Sequence, residues 1–295
     1  MSEIDNFHAG FVSIIGKPNV GKSSLMNKFI GEKLSIITPK PQTTRENVTG
    51  IYNEKSAQIV FVDTPGFLKP RYLLQEKMLK SIKSSLNNKN IVIFMSDAKI
   101  FPTNYDMQII EIVKKLNSKI FIVINKIDTV TKDILEKHEK VIRDLGFSHL
   151  FFISVTEDFG VEGLKQRILA EMPLHPPFYP IDDIATQHIR FFVKEKIREK
   201  LFLNLQQEVP YASAVTVEIF DEFENKVKIY ANIWVESKSQ KAIVIGEEGR
   251  MIKSIREAAE RDIHHFLQKR IILKLWVKVR QKWRKKERVL KEFGY

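Results

Sequence analysis

The stretch Gly16-Lys17-Pro18-Asn19-Val20-Gly21-Lys22-Ser23 constrains this chain more than any other. It follows an apolar run at 11–15 and precedes a segment with helical spacing at 24–29. Glycines let backbone N–H groups turn inward around an anion, and the start of a helix adds positive potential there. The G-x-x-x-x-G-K-[ST] spacing in a strand–helix setting therefore predicts a phosphate-binding loop. Its expected contacts are Gly16, Asn19, Val20, Gly21, Lys22, Ser23 and Ser24. Lys22 is expected to reach the β- and γ-phosphates, and the Ser23 hydroxyl to ligate magnesium.

Around this loop, the first ~170 residues alternate short apolar runs with longer amphipathic stretches. Runs at 59–62, 91–95, 120–124 and 150–153 join 11–15 as predicted buried strands; 106–116, 132–145 and 161–170 carry helical spacing. Strands alternating with helices predict an α/β domain, a mostly parallel sheet with helices on both faces. Ligands of such sheets sit beyond the carboxyl ends of the strands. Pro173, Pro176, Pro177 and Pro180 then interrupt the pattern. The chain divides accordingly into a nucleotide domain at 1–172, a proline-rich linker at 173–184 and a smaller α+β domain at 185–295.

Further motifs close other strands of the first domain. Asn125-Lys126-Ile127-Asp128 follows the run at 120–124. An ionised Asp128 only accepts hydrogen bonds, which suits the N1–H and 2-amino donors of guanine and leaves adenine unmatched. Lys126 is expected along the base, with Asn125 tying this loop to the phosphate loop. Asp63-Thr64-Pro65-Gly66 closes the run at 59–62; Asp63 suits magnesium and the Gly66 N–H the γ-phosphate. Ser154, Val155 and Thr156, after the last strand, are positioned to help bind the base.

Taken together, these elements resemble the translation-factor-related GTPases, and the run from Lys17 to Ser24 resembles the Era branch. Pro41-Gln42-Thr43-Thr44-Arg45 is similar to that branch's first switch. The resemblance implies a threonine closing on magnesium and the γ-phosphate, Thr44 in preference to Thr43. Lys22, Thr44 and Gly66 are then the expected catalytic residues, and Ser23, Thr44 and Asp63 the metal residues. Phe67 stands where Ras-like enzymes place a water-orienting glutamine, and its side chain cannot hydrogen-bond water. Asn19 matches a position that ligates potassium in some relatives, so a slow GTPase with GTP/GDP, Mg2+ and K+ as cofactors is expected; a loop-stabilising role for Asn19 is the alternative.

The second domain carries Gly246-Glu247-Glu248-Gly249 between two helical stretches. The order helix–strand–strand–helix–helix–strand around a G-x-x-G loop predicts a KH domain of the type-II arrangement, whose loop admits a nucleic-acid backbone. Ile245, Gly246, Glu247, Glu248, Gly249, Arg250 and Lys253 are its expected RNA contacts. The run at 272–279 alternates Leu273, Leu275 and Val277 with Lys274, Trp276 and Lys278. The second set suits base stacking along a charged groove; a solvated outer sheet face, or Trp276 packed under the next helix, reads equally from the pattern. Residues 280–291 form a basic tail around Trp283, suited to RNA, a membrane surface or solvent.

The resemblance to the Era family covers nearly the whole chain, including Phe293-Gly294-Tyr295. It implies binding to the single-stranded 3′ end of 16S ribosomal RNA in the 30S subunit during small-subunit assembly. A net charge of +12 fits polyanionic partners. The shorter part, 181–295, holds 24 Lys/Arg against 17 Asp/Glu, or +7 of that excess. With no cysteine, disulfides and thiolate metal sites are excluded. The start, Met1 to Asn6, lacks a basic patch and apolar core, and no apolar run approaches the ~20 residues of a membrane span. A cytoplasmic monomer that binds no DNA, with peripheral contact to the anionic inner face of the membrane, is expected. Two rivals stay open at this point: a membrane-surface regulatory GTPase, and an RNA chaperone without significant turnover.

Overall fold

The computed structural model describes residues 6–295; apart from Asn6, the start of the chain lies outside the described residues. Two compact units result. The first takes the chain up to Ser35, Thr44–Pro70 and Met78–Thr186; the second takes Ile36–Thr43, Arg71–Lys77 and Gln187–Tyr295.

In chain order the first unit's elements are β1 (His8–Gly16), α1 (Lys22–Ile30), β2 (Val48–Glu54), β3 (Ala57–Asp63), α2 (Leu73–Ser85), β4 (Ile91–Asp97), α3 (Asn104–Val113), β5 (Lys119–Asn125), α4 (Lys132–Asp144), β6 (Leu150–Phe152) and α5 (Val161–Ala170). The first turn of α2 falls to the second unit. The sheet order is β2-β3-β1-β4-β5-β6, and only the β2–β3 pair is antiparallel. All seven residues of β3 are buried, as are six of seven in β4. Burial on both faces is what apolar runs without alternation produce. One consequence decides the function: Gly16, Asp63, Asp97 and Asn125, the last residues of four parallel strands, end at one edge of the sheet.

The proline-rich stretch is not a free linker. Gln58 accepts from the Phe178 N–H at 2.7 Å and donates to the Tyr179 carbonyl at 2.9 Å; Asn53 donates to the carbonyls of Ile181 and Asp183. His8 bridges to Leu174, and Gly50 to Ala185. Prolines bring no N–H of their own, so side-chain amides from β2 and β3 satisfy much of this backbone.

The second unit contains α6 (Ile189–Asn204), α7 (Val209–Ala212), β7 (Ala214–Glu222), β8 (Lys226–Val235), α8 (Lys238–Ile245), α9 (Arg250–Leu267), β9 (Arg270–Val279) and α10 (Glu287–Glu292). Its sheet runs β7-β8-β9, antiparallel then parallel. Ile197 and Leu201 of α6, Val244 of α8 and Ile255 and Ile263 of α9 form one core with Val227, Ile229, Ala231 and Ile233. The basic tail is not a solvated end. Trp283 is fully buried and donates its indole N–H to the Ala212 carbonyl at 2.8 Å; Val289, Leu290 and Phe293 are buried beside it. Among the described residues, no helix is long and apolar enough to cross a membrane.

Residues 36–43, early in the sequence, are held inside this second unit by α6. The fully buried Arg198 guanidinium pairs with Glu195 and donates to the Thr43 carbonyl at 2.5 Å. Lys40 donates to the Phe202 and Leu205 carbonyls at the end of α6, where the helix dipole favours a cation. Tyr72 lies under the Arg284 guanidinium, 4.9 Å away, and Gln75 donates to Gln42 at 2.9 Å.

Candidate functional site

The phosphate loop is built by close approaches. A Cβ on Gly16 would overlap the Met95 carbonyl oxygen, and one on Gly66 would lie 2.6 Å from the Pro18 ring. Phe67 N–H donates to the Gly16 carbonyl at 2.9 Å, and the Thr64 hydroxyl to the Ile14 carbonyl at 2.7 Å. The ends of β1 and β3 are thus locked side by side. Gly21 has φ 105°, and a Cβ there would overlap the Asn125 amide. That amide donates to the Val20 carbonyl at 2.9 Å, and its oxygen accepts from the Val155 N–H at 3.1 Å. Asn125 therefore ties the loops after β1, β5 and β6 into one edge. Lys126 donates to the Asn19 carbonyl at 2.8 Å and to Asp97 at 2.7 Å. Asp128 is exposed in the turn beyond it. Ser154 is buried and its hydroxyl accepts from the Glu157 N–H; Thr156 is exposed.

Four oxygen-bearing side chains, Ser23, Ser35, Thr44 and Asp63, converge beside Lys22. The Ser23 hydroxyl donates to Asp63 Oδ2 at 2.6 Å and lies 3.1 Å from the Thr44 hydroxyl; Ser35 donates to the same Oδ2 at 2.9 Å. Asp63 Oδ1 is buried and has no hydrogen-bond partner. A carboxylate oxygen orphaned next to two hydroxyls is a donor set for a hard, oxygen-seeking cation such as magnesium. Thr43 behaves differently: its hydroxyl donates to the Lys40 carbonyl at 2.7 Å and lies 2.9 Å from that of Thr38. Burial pushes the Asp63 carboxyl up, against the charge of Lys22 and the hydroxyls that pull it down. Burial pulls Lys22 down to about 8, opposed by Asp63. Its ammonium donates to the Gly16 and Lys17 carbonyls. Phe67 is buried with Ile15 and Ile82, so the side chain after Gly66 belongs to the core.

The motif reading missed what lies beneath the loop. Lys17 is buried, with Nζ 2.6 Å from Asp106 Oδ2 and 3.0 Å from the Thr103 hydroxyl. Asp106 also accepts from the Ser96 hydroxyl and the Thr103 N–H, closing the capping box of α3. The box is legible as Thr103-x-x-Asp106; its link to Lys17, 89 residues away, is not.

In the second unit, Gly246–Gly249 joins α8 to α9, with Gly246 at φ 74° and Glu248 at φ 50°. Glu247 and Glu248 point outward, both exposed, and pair with Arg250. Beside the loop, an open cleft of ≈ 740 Å³ is lined by Trp234, Lys238, Lys241, Ala242, Ile245 and Val277–Val279 of β9. Of the expected RNA contacts, Ile245 and Lys278 line this cleft; Lys238 and Lys241 were missed because nothing in α8 marks them before the groove is seen. Lys253 is exposed on α9. Lys274 and Trp276 lie on the outer face of the sheet, beside Tyr230, and Trp276 is 43% exposed rather than packed under a helix. Among the described residues, no group of three or more His, Asp or Glu side chains gathers to hold a metal.

Comparison with known proteins agrees with this geometry. Residues 11–126 match the family described as 50S ribosome-binding GTPase, and residues 208–284 match the KH domain family. GTPase Era of Alkaliphilus metalliredigens is 40% identical over 98% of this chain and 99% of its own. That of Lacticaseibacillus paracasei is 42% identical over 98% and 97%. Among solved structures, an Aquifex aeolicus Era variant bound to GDP·AlF4− superposes with a TM-score of 0.94 at 34% identity, covering 98% of this chain and 99% of that one. An Era complex with MgGDPNP and nucleotides 1506–1542 of 16S ribosomal RNA gives the same score, identity and coverage.

Proposed function

This chain belongs to the GTPase Era family and is a GTPase, and from that premise we propose that it couples GTP hydrolysis to binding of the single-stranded 3′ end of 16S ribosomal RNA during small-subunit assembly. The observation that carries the nucleotide half is the convergence of Ser23, Thr44 and Asp63 on one point, with an orphaned carboxylate oxygen, beside Lys22. Magnesium held by these three would neutralise charge on the phosphates. Backbone N–H groups from Gly16 to Ser24 cradle the phosphates, and Lys22 exchanges two carbonyl partners for phosphate oxygens. Gly66 offers its N–H to the γ-phosphate. Asp128 accepts from guanine, Lys126 lies along the base with its ammonium fixed by Asp97 and Asn19, and Ser154, Val155 and Thr156 complete the base pocket.

With Phe67 buried, no side chain from that position orients the attacking water. Asn19 would help hold a potassium ion, which when bound would supply the positive charge of an arginine finger, and a slow intrinsic rate is expected. Single-turnover hydrolysis at equal ionic strength tests it: faster turnover in K+ than in Na+ is expected, and equal rates would remove potassium from the mechanism.

The RNA half rests on the cleft between α8 and β9 and its G-x-x-G loop, together with the RNA-bound relative. Crosslinking bound RNA in cells should return the 3′ end of 16S rRNA; recovery of unrelated RNA would overturn the assignment.

A further inference from the structure

We infer that the open face of the three-stranded sheet in the second unit is an additional binding surface for single-stranded RNA, reached from the α8–β9 cleft over the edge of β9. The inference rests on the KH reading of that cleft and extends it to the part of the outer sheet face around Tyr230 and Trp276; at the other end of that face the ring of Phe293 stacks on Trp234 at 5.2 Å.

Alternation along β8 and β9 sends Val227, Ile229, Ala231, Leu273 and Val277 into the core. The opposite face receives Lys228, Tyr230 and Trp234 from β8, and Lys274, Trp276 and Lys278 from β9. Parallel register sets Tyr230 against Lys274 and Trp234 against Lys278. The rings of Tyr230 and Trp276 meet edge to face at 5.3 Å. Lys228 and Lys274 stand 4.8 and 5.2 Å from the Tyr230 ring, and Lys278 stands 5.4 Å from that of Trp234.

Aromatic faces ringed by lysines are what sequence-tolerant single-strand binding uses: rings stack on bases and ammonium groups meet phosphates. Trp276 is 43% exposed beside Tyr230, which leaves ring surface open to a base. Of the acidic residues of β7, Glu218 is engaged, accepting from Asn232 at 2.8 Å and Thr216 at 2.6 Å, while Asp221 stands in register opposite Lys228. Continuity identifies the occupant. Lys278 and Trp234 line the cleft and also border the open face. Lys274 lies four residues before Lys278 on the same strand, about 13 Å away. A strand leaving the cleft at Lys278 thus next meets Lys274 and the Tyr230–Trp276 pair.

Two labelled RNAs from the 3′ end of 16S rRNA test this on the full-length protein: one of about four nucleotides, enough for the cleft, and one of about twelve. The longer RNA should bind at least tenfold more tightly. Tyr230→Ala with Trp276→Ala should remove that advantage and leave the short RNA's Kd within about twofold. Trp276→Phe should retain most of it. Lys228→Gln with Lys274→Gln should reduce the salt slope for the long RNA alone, by about 1.4. The inference fails if the aromatic variant holds the long RNA like wild type, which would leave the face to another partner. It fails equally if both RNAs weaken together, the mark of a damaged fold. Should neither RNA bind wild type, the KH reading itself falls.

Discussion

Lys22 carries its charge into a fully enclosed place, and burial holds it at about 8 against an ordinary 10.5. Below pH 8 both folded and unfolded chains hold this proton, and the folded one bears the cost of burying it. Between 8 and 10.5 only the unfolded chain keeps it, so stability rises with pH across that window, by up to about 3 kcal/mol. Lys22→Met keeps the volume and removes the titration. Urea unfolding at pH 7 and pH 10 should therefore show a stability gain in wild type that the variant lacks. Asp128 works through its neighbours' absence: it is exposed, and a guanine would supply the two donors it lacks. Asp128→Asn presents a donor where only an acceptor fits. GTP affinity by calorimetry should fall about tenfold or more while ATP affinity stays flat, narrowing the preference.

Among elements, α3 does more than cover the sheet. Its N-terminal Asp106 receives the Lys17 ammonium inside the protein, so the helix start and the phosphate loop share one buried ion pair. Asp106→Ala strands that cation and opens the cap; a loss of about 3–5 kcal/mol in urea unfolding is expected, with weaker GTP binding. Asp106→Asn, which keeps hydrogen-bonding atoms at the cap, should lose less. Which elements the sequence announces follows the same physics. The four inner parallel strands read as plain apolar runs because both faces are buried. β2 did not: Val48–Glu54 mixes polar residues with Gly50, and the glycine is needed because a Cβ would come within 2.8 Å of Ile30. The first turn of α2 has its partners in the other unit, so local spacing undersells that helix. Lysines and arginines at 280–291 masked a buried anchor, since Trp283, Leu290 and Phe293 are too widely spaced to stand out. The nucleotide motifs were legible because chemistry fixes their residue types; Lys17, Asp97 and Ser35 were not, because only the fold brings their partners near.

At the scale of the molecule, the sequence order of the units differs from their spatial membership. Residues 36–43 leave the nucleotide unit just before Thr44, and 71–77 leave it just after the Asp63–Gly66 loop. Both excursions lead to the RNA-binding unit, so the two functions share backbone. RNA affinity should therefore differ between a GTP analogue and GDP by roughly 5–150-fold, the usual range for coupled sites. Fluorescence titration with the 3′ RNA checks this, and identical affinities in the two nucleotide states would remove the coupling.

Such threading also bears on how the chain can be recombined. A chimera that swaps only residues 187–295 for those of a distant relative would import a foreign helix against which the native loop must dock. The Arg198 contact to the Thr43 carbonyl would be replaced by whatever the donor supplies. Transplants should keep enzymatic function only when residues 36–43 and 71–77 travel with the C-terminal piece, so heredity in this family is expected to move three segments as one.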